Sequence, residues 1–347
     1  MATGQTRKTA KAVTLRDVAR QAGVSVSTAS RAMTPGFTRI SEETRRQVQA
    51  AIAGLGYEPD ISARAISTGH TSLAAIVVSD IRDPFNTEIA QGFNREAVAR
   101  GLVATIAGTG DQDDEIARVV RGLRGMQPAA IVLVEPRDRE RPNSVVVTGE
   151  LGAYAAYGGH LSFVGSATAL GSHAALPWRA AGVALLRTLV DLGYRHPAAI
   201  AADVPSAAMM EWRAGLDEAA AAAGVWIDHR LVARTGMNRA GGYQAARDIL
   251  ESRGQGVDVI IGATDMMAVG VVAAIADAGL APGADIGVAG CDDLVFVDDV
   301  VNPHLTSVNL NLADAGAQAL RLALDSGATA ATRAPAVVVR ASTPRRG

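Results

Sequence analysis

Apolar positions in the first stretch of the chain recur at helical spacing. Leu15, Val18, Ala19 and Ala22 fall at i, i+3, i+4 and i+7, which predicts one buried face on a short helix. Gly23 follows that face directly and suits a left-handed exit. Ser25 stands where an N-cap belongs, and a second helix is expected through Ser27, Thr28, Ser30 and Arg31. Small residues at Ala22, Ala29 and Ala32 let the two helices cross closely. This is a helix-turn-helix layout, whose second helix lies in a DNA major groove. A plain helical hairpin with no ligand has the same outline. Ser41 caps a third helix, with Glu42 and Glu43 in its first turn and Val48, Ala51, Ile52 and Leu55 on its inner face. Between Asp60 and Ser67 one more short helix fits before Gly69, too short to hold alone in water.

From Leu73 the pattern changes to apolar runs separated by helical stretches. LAAIVVS, LVATIAG (102–108) and AAIVLVE (129–135) read as strands, with helices from about Asn86 to Arg100 and from Asp111 to Leu123. Residues 136–150 carry no clear pattern, and LSFVG (161–165) reads as a further strand. The alternation then restarts: helices over 180–192, 209–223, 239–251, 267–278 and 312–326, and strands over 198–202, 228–232, 257–263, 286–291, 305–308 and 337–339. Two such α/β units in tandem predict two lobes with a cleft between them, and ligands meet the carboxyl ends of the strands. The loops expected there are Ser79 to Asn86, Thr109 to Asp114, Gly262 to Asp265, and Cys291 to Asp293.

Charge sharpens the contrast between the two parts. Residues 1–72 hold ten Lys or Arg against five acids, while the whole chain carries a formal charge of −2. A basic head on an acidic body is what attraction to phosphate predicts. The 347 residues allow two or three domains. One cysteine, Cys291, excludes an intrachain disulfide and suits a reducing cytosol. No apolar stretch is long enough for a membrane span, and the N-terminus lacks the apolar run of an export signal.

Taken together, these stretches resemble the lactose-repressor family of bacterial transcription regulators. The resemblance rests on TLRDVARQAGVSVSTASRAM, ISEETRRQVQAAIAGLGYEPD and ARAISTGHT in the head. In the body it rests on DPF at 83–85, GY at 242–243, TDMMAVG at 264–270, DIGVAGCDDL at 285–294 and NPHLTSV at 302–308. It implies an α/β protein with a small all-α helix-turn-helix head and a short hinge helix, joined to a two-lobed periplasmic-binding-protein-like core. The expected boundaries are 1–58 for the head, 59–72 for the hinge and 73–347 for the effector-binding and dimerisation core. Within the core, lobe 1 is expected at about 73–175 and 305–330, and lobe 2 at about 176–304 and 331–343.

The resemblance further implies a cytoplasmic, nucleoid-associated homodimer on a near-palindromic double-stranded DNA operator, with a small effector in the cleft. Val26, Ser27 and Arg31 match base-reading positions; Arg31 can pair with guanine and Val26 can meet a thymine methyl. Thr14, Ser25, Thr28 and Ser30 are better placed for phosphates. Arg64 lies in the expected hinge, and Ile66 there matches the family's minor-groove wedge. Asp265 and Asp292 match polar positions near the ligand, and Phe85 matches an apolar wall of the cleft. Two departures stand beside them. Many relatives open a helix near 178 with Asp-Asn, where this chain has Leu176-Pro177-Trp178-Arg179, and many have Arg where this chain has Trp212. Trp178, Arg179 and Trp212 therefore join the candidate effector residues; either indole could stack on a ring or plug the cleft. Asp293 and Tyr194 read as structural residues.

Other functions fit less well. No GxGxxG follows the first strand and no GxxxxGK[ST] occurs, so a nucleotide-dependent enzyme is not expected. The six histidines lack metal-ligand spacing, so no catalytic residue, metal or cofactor is assigned. The alternatives are a sugar-binding protein, or a transcriptional activator with an atypical or ligand-free cleft. STPRRG at the C-terminus has no leucine heptads and predicts no tetramerising helix.

Overall fold

A computed structural model describes residues 13–33, 39–57, 71–110, 112–136, 145–165, 168–202, 206–232, 236–252 and 256–346. Residues 1–12 and residues 58–70, the latter with Arg64 and Ile66 of the expected hinge, lie outside them. The chain divides into two compact units, Met1–Thr71 and Ser72–Gly347.

The first unit holds helices α1 (Leu15–Gln21), α2 (Val26–Ala32) and α3 (Glu42–Leu55). The Thr14 N–H and hydroxyl both donate to Asp17 Oδ2, at 3.0 and 2.6 Å, which fixes the entry to α1. Gly23 turns the chain with φ 67°, and the Thr28 N–H donates to Ser25 Oγ at 3.1 Å to start α2. Val18, Ala19, Ala29, Ala32, Val48 and Ala51 form the buried core. Arg45 of α3 donates to the Ala32 carbonyl at 3.1 Å and so satisfies the end of α2.

The second unit contains two sheets. The first runs in the order β2-β1-β3-β4-β5, with β1 (Leu73–Val78), β2 (Val103–Gly108), β3 (Ala130–Val134), β4 (His160–Val164) and β5 (Ser172–Ala174), all parallel. Helices α4 (Pro84–Ala99), α5 (Asp113–Met126) and α6 (Val145–Ala156) alternate with these strands. Helix α6 begins inside the stretch of 136–150 that carried no sequence pattern, because its valine-rich start reads poorly as helix. The second sheet runs β11-β10-β9-β8-β6-β7, with β6 (Pro197–Ala202), β7 (Asp228–Val232), β8 (Val259–Gly262), β9 (Gly287–Asp292), β10 (Thr306–Asn309) and β11 (Ala336–Val338). Only β11 is antiparallel to its neighbour among these pairs. Helices α7 (Trp178–Asp191), α8 (Ala207–Ala223), α9 (Arg239–Glu251), α10 (Asp265–Asp277), α11 (Val295–Val300) and α12 (Leu312–Leu324) complete the unit.

One expectation is corrected here. Residues 305–330 do not all join the first lobe. Strand β10 pairs in parallel with β9, from Thr306↔Ala289 to Asn309↔Asp292, and belongs to the second sheet. The crossing comes after it. Helix α12 packs on α4, β3, β4 and β5 of the first lobe, and the Ser162 hydroxyl donates to its Ala319 carbonyl at 2.6 Å. The physical reason is local: β10 is tied to its own lobe by the buried Thr306 and Ser307, whereas α12 presents Ala315, Gly316 and Ala319 as a flat face for α4.

Three helix pairs share one device. In α4/α12, α7/α8 and α9/α10 a glycine of each helix faces a backbone carbonyl of the other. A Cβ at Gly92 would strike the Ala313 oxygen, and one at Gly316 the Ile89 oxygen. Gly182 and Gly215 stand in the same way against Trp212 and Arg179, and Gly242 and Gly270 against Met267 and Arg239. The abundance of Ala and Gly thus becomes helix-to-helix contact at backbone distance.

Candidate nucleic-acid interface and ligand cleft

Helix α2 divides cleanly into two faces. Ala29 and Ala32 are buried, while Val26, Ser27, Ser30 and Arg31 are exposed. The exposed four stand at i, i+1, i+4 and i+5, one continuous outward stripe. Ser25 and Thr28 lie at its N-terminal end, where Ser25 Oγ is 2.8 Å from Thr28 Oγ1 and 2.9 Å from Ser27 Oγ. Backbone N–H groups at a helix start are ready partners for phosphate oxygens. Thr14 holds the equivalent place at the start of α1. The structure also brings Thr28 and Arg31 beside Arg39, Ser41 and Thr44, which line a shared hollow. Sequence reasoning assigned Ser41 only a capping role; its hydroxyl accepts from the Thr44 N–H at 3.2 Å, and it also borders this hollow.

In the second unit a cavity of about 420 Å³ opens beyond the carboxyl ends of β3 and β4 and around β5. Of the six residues expected near a ligand, Phe85, Trp178 and Arg179 line it. Asp83 caps α4 and accepts the Phe85 N–H at 3.0 Å, with Pro84 at the first helical position, so Phe85 enters the core 2% exposed. Trp178 opens α7 and stacks on Phe85, with ring centroids 6.1 Å apart and planes inclined at 29°. Arg179 donates to Glu218 at 3.1 Å and lies 3.7 Å from Glu211. The Glu218 carboxylate, and then Glu211, raise its pKa further, so the guanidinium stays charged and engaged within its own lobe.

Trp212, Asp265 and Asp292 do not line this cavity. Trp212 is fully buried under the α7/α8 crossing, and its Nε1 has no hydrogen-bond partner among the described residues. Asp265, 1% exposed, accepts the Leu294 N–H at 2.8 Å through one oxygen and the Ser307 hydroxyl through the other. It ties α10, the turn after β9 and β10 together. Asp292 ends β9, 3% exposed, with φ 139°. Asp293 holds Arg340 at 2.8 Å and Asn309 at 2.9 Å, in keeping with its structural reading. Tyr194 is buried and donates to the Pro344 carbonyl at 3.0 Å.

The remaining lining comes from residues that the sequence did not flag: Glu135, Pro136, Val164, Gly165, His173 and Glu211 among them. Of the four loops expected to form the site, only the one carrying Phe85 reaches the cavity among the described residues. The available signal was position. Glu135 is the first polar residue after AIVLV and Gly165 follows HLSFV, so both leave strand ends.

Comparison with known proteins follows the same division. Residues 14–60 match the model of bacterial regulatory proteins of the lacI family, and residues 186–345 match the periplasmic binding protein-like domain. The HTH-type transcriptional regulator CelR of Thermobifida fusca is 30% identical over 318 residues, covering 90% of this chain and 91% of that protein. The chain belongs to the lacI family of bacterial regulatory proteins. Among solved structures, this lacI-family chain is similar to the lac repressor dimer bound to operator and the anti-inducer ONPF, with TM-score 0.78 and 22% identity over 96% of this chain and 100% of that one. It is also similar to a CelR–cellobiose complex, with TM-score 0.66 and 25% identity over 95% of this chain and 99% of that one. The family membership accounts for the helix-turn-helix head and the two-lobed core together. No helix among the described residues is long and apolar enough to cross a membrane.

Proposed function

We propose that this lacI-family regulator is a repressor that binds a near-palindromic operator as a homodimer and is controlled by a small effector in its cleft, of the sugar or polyhydroxylated class. The outward stripe of α2 carries this reading. Arg31 provides a bidentate donor for a guanine edge, Ser27 a hydroxyl for a base or phosphate, and Val26 an apolar contact for a thymine methyl. Thr14, Ser25, Thr28 and Ser30 take the phosphates, with Arg39 and Thr44 beside them. Arg64 and Ile66 complete the contact at the operator centre, Ile66 as a wedge in the minor groove.

The effector part is supported by CelR, whose solved complex holds cellobiose. It acts by linkage: a ligand that prefers one lobe arrangement shifts operator affinity by the ratio of its affinities for the two.

The test is a binding titration of purified full-length protein against duplexes from its own promoter region and against scrambled duplexes, over a range of salt. Tight binding to one near-palindromic site, weakened by Arg31→Ala at all salts, is expected. Equal affinity for every duplex would overturn the reading.

A further inference from the structure

We propose that the Phe85–Trp178 stack is a latch that holds the two lobes of the core together across the cleft without a ligand. This rests on the regulator reading above, since a latch matters only if lobe movement controls DNA binding.

The two rings come from different lobes. Phe85 sits in the first turn of α4, which packs on β1, β2 and α12 of the first lobe. Trp178 opens α7, which packs on α8, β10 and β11 of the second. Both are nearly removed from water, at 2% and 8% exposure, and both belong to one apolar cluster that runs on into each lobe. An offset aromatic pair at this separation adds attraction beyond the area it buries. Spreading the lobes here would return two large rings to water.

The charged neighbour Arg179 does not do the same work. Next to Trp178, it places its charge on Glu218 and Glu211, which both lie on α8 of its own lobe. The Phe85–Trp178 contact gives this mouth of the cleft an apolar bridge, and it is in place with the cavity beside it still about 420 Å³. Pro177 at the N-cap and the Trp178 N–H, which donates to the Leu176 carbonyl at 2.9 Å, fix where the indole leaves the backbone. An effector then has two ways to act. It fills the space beside the stacked pair and strengthens closure, or it takes the place of one ring on the other and releases it.

The experiment uses the full-length protein with no ligand. Spin labels are placed at Gln91→Cys on α4 and Ala222→Cys on α8, both exposed, with Cys291 buried and labelled protomers diluted in unlabelled protein. The latch gives one narrow interlobe distance. Trp178→Leu, which keeps an apolar side chain but removes the stack, and Phe85→Leu should each broaden it, with the closed fraction falling roughly tenfold relative to the open one. The double variant should do no more than either single change, and Trp178→Phe should restore the narrow distance. An unchanged distance distribution in folded Trp178→Leu and Phe85→Leu would overturn the proposal. The operator titration of the unmutated protein is read separately, so loss of the regulator reading is not confused with loss of the latch.

Discussion

The carboxylate of Asp265 lies 2.8 Å from the Leu294 backbone nitrogen, 29 residues along the chain and fully inside the second lobe. Its other oxygen takes the Ser307 hydroxyl, whose own oxygen accepts the Asp293 N–H at 3.0 Å. One side chain at the start of α10 therefore sets the path of the backbone between β9 and β10.

Replacing Asp265 with Ala leaves two buried donors without acceptors. Each costs about 1–3 kcal/mol, so a loss of roughly 3 kcal/mol or more is expected in denaturant unfolding. Asp265→Asn should fall between, because one oxygen remains. A near-neutral Asp265→Ala would mean that the turn after β9 finds another way to satisfy its backbone.

Gly215→Ala separates two effects of opposite sign. On helix propensity alone the change should stabilise α8 by about 1 kcal/mol. At this position the added methyl would overlap the Arg179 carbonyl oxygen, so α7 and α8 must move apart. We expect net destabilisation of about 1–3 kcal/mol, the range of overpacked cores. A rise in thermal midpoint would show that the crossing has slack.

The α4–α12 crossing carries a pH signature. Arg100 donates to Asp325 at 2.7 and 2.6 Å, and this pairing lowers the Asp325 pKa below its ordinary value. The native carboxyl therefore holds its proton less tightly than the unfolded one. The stabilisation is present above about pH 4 and fades as the pH falls through the native value. In Arg100→Gln the Asp325 titration, followed by NMR, should move up towards the ordinary carboxylate range. Stability should then depend less on pH below 4. Parallel pH profiles for the two proteins would show that the pair is inert.

The C-terminal segment is a strap on the second lobe. Ser342 and Thr343 are fully buried; the Ser342 hydroxyl donates to the Val288 carbonyl at 2.6 Å and accepts the Thr306 N–H at 2.7 Å. Ser342→Ala removes both bonds and should cost about 2 kcal/mol. Truncation before Arg340 should also remove the guanidinium that pairs with Asp293 and Asp298, leaving Asp298 with His304, and unfold the second lobe at lower denaturant concentration, as read by circular dichroism.

The sequence by itself determined what depends on neighbours along the chain. Helix caps at Ser25 and Ser41, the left-handed turn at Gly23, and the alternation of strands and helices after Leu73 are all local, and periodicity carries them. The outward stripe of α2 follows from the same local rule. Where local propensity ran against the structure, as in the valine-rich start of α6, the reading stopped.

Tertiary structure decided everything that joins distant residues. It placed β10 in the second sheet, where the expectation had it in the first lobe with α12, because register with β9 is not visible along the chain. It turned Asp265 from a candidate ligand contact into an internal tie and buried Trp212, and it set Trp178 against Phe85, 93 residues apart. Which polar group meets a ligand and which meets a backbone donor depends on the space that packing leaves, and that space exists only once the lobes have formed.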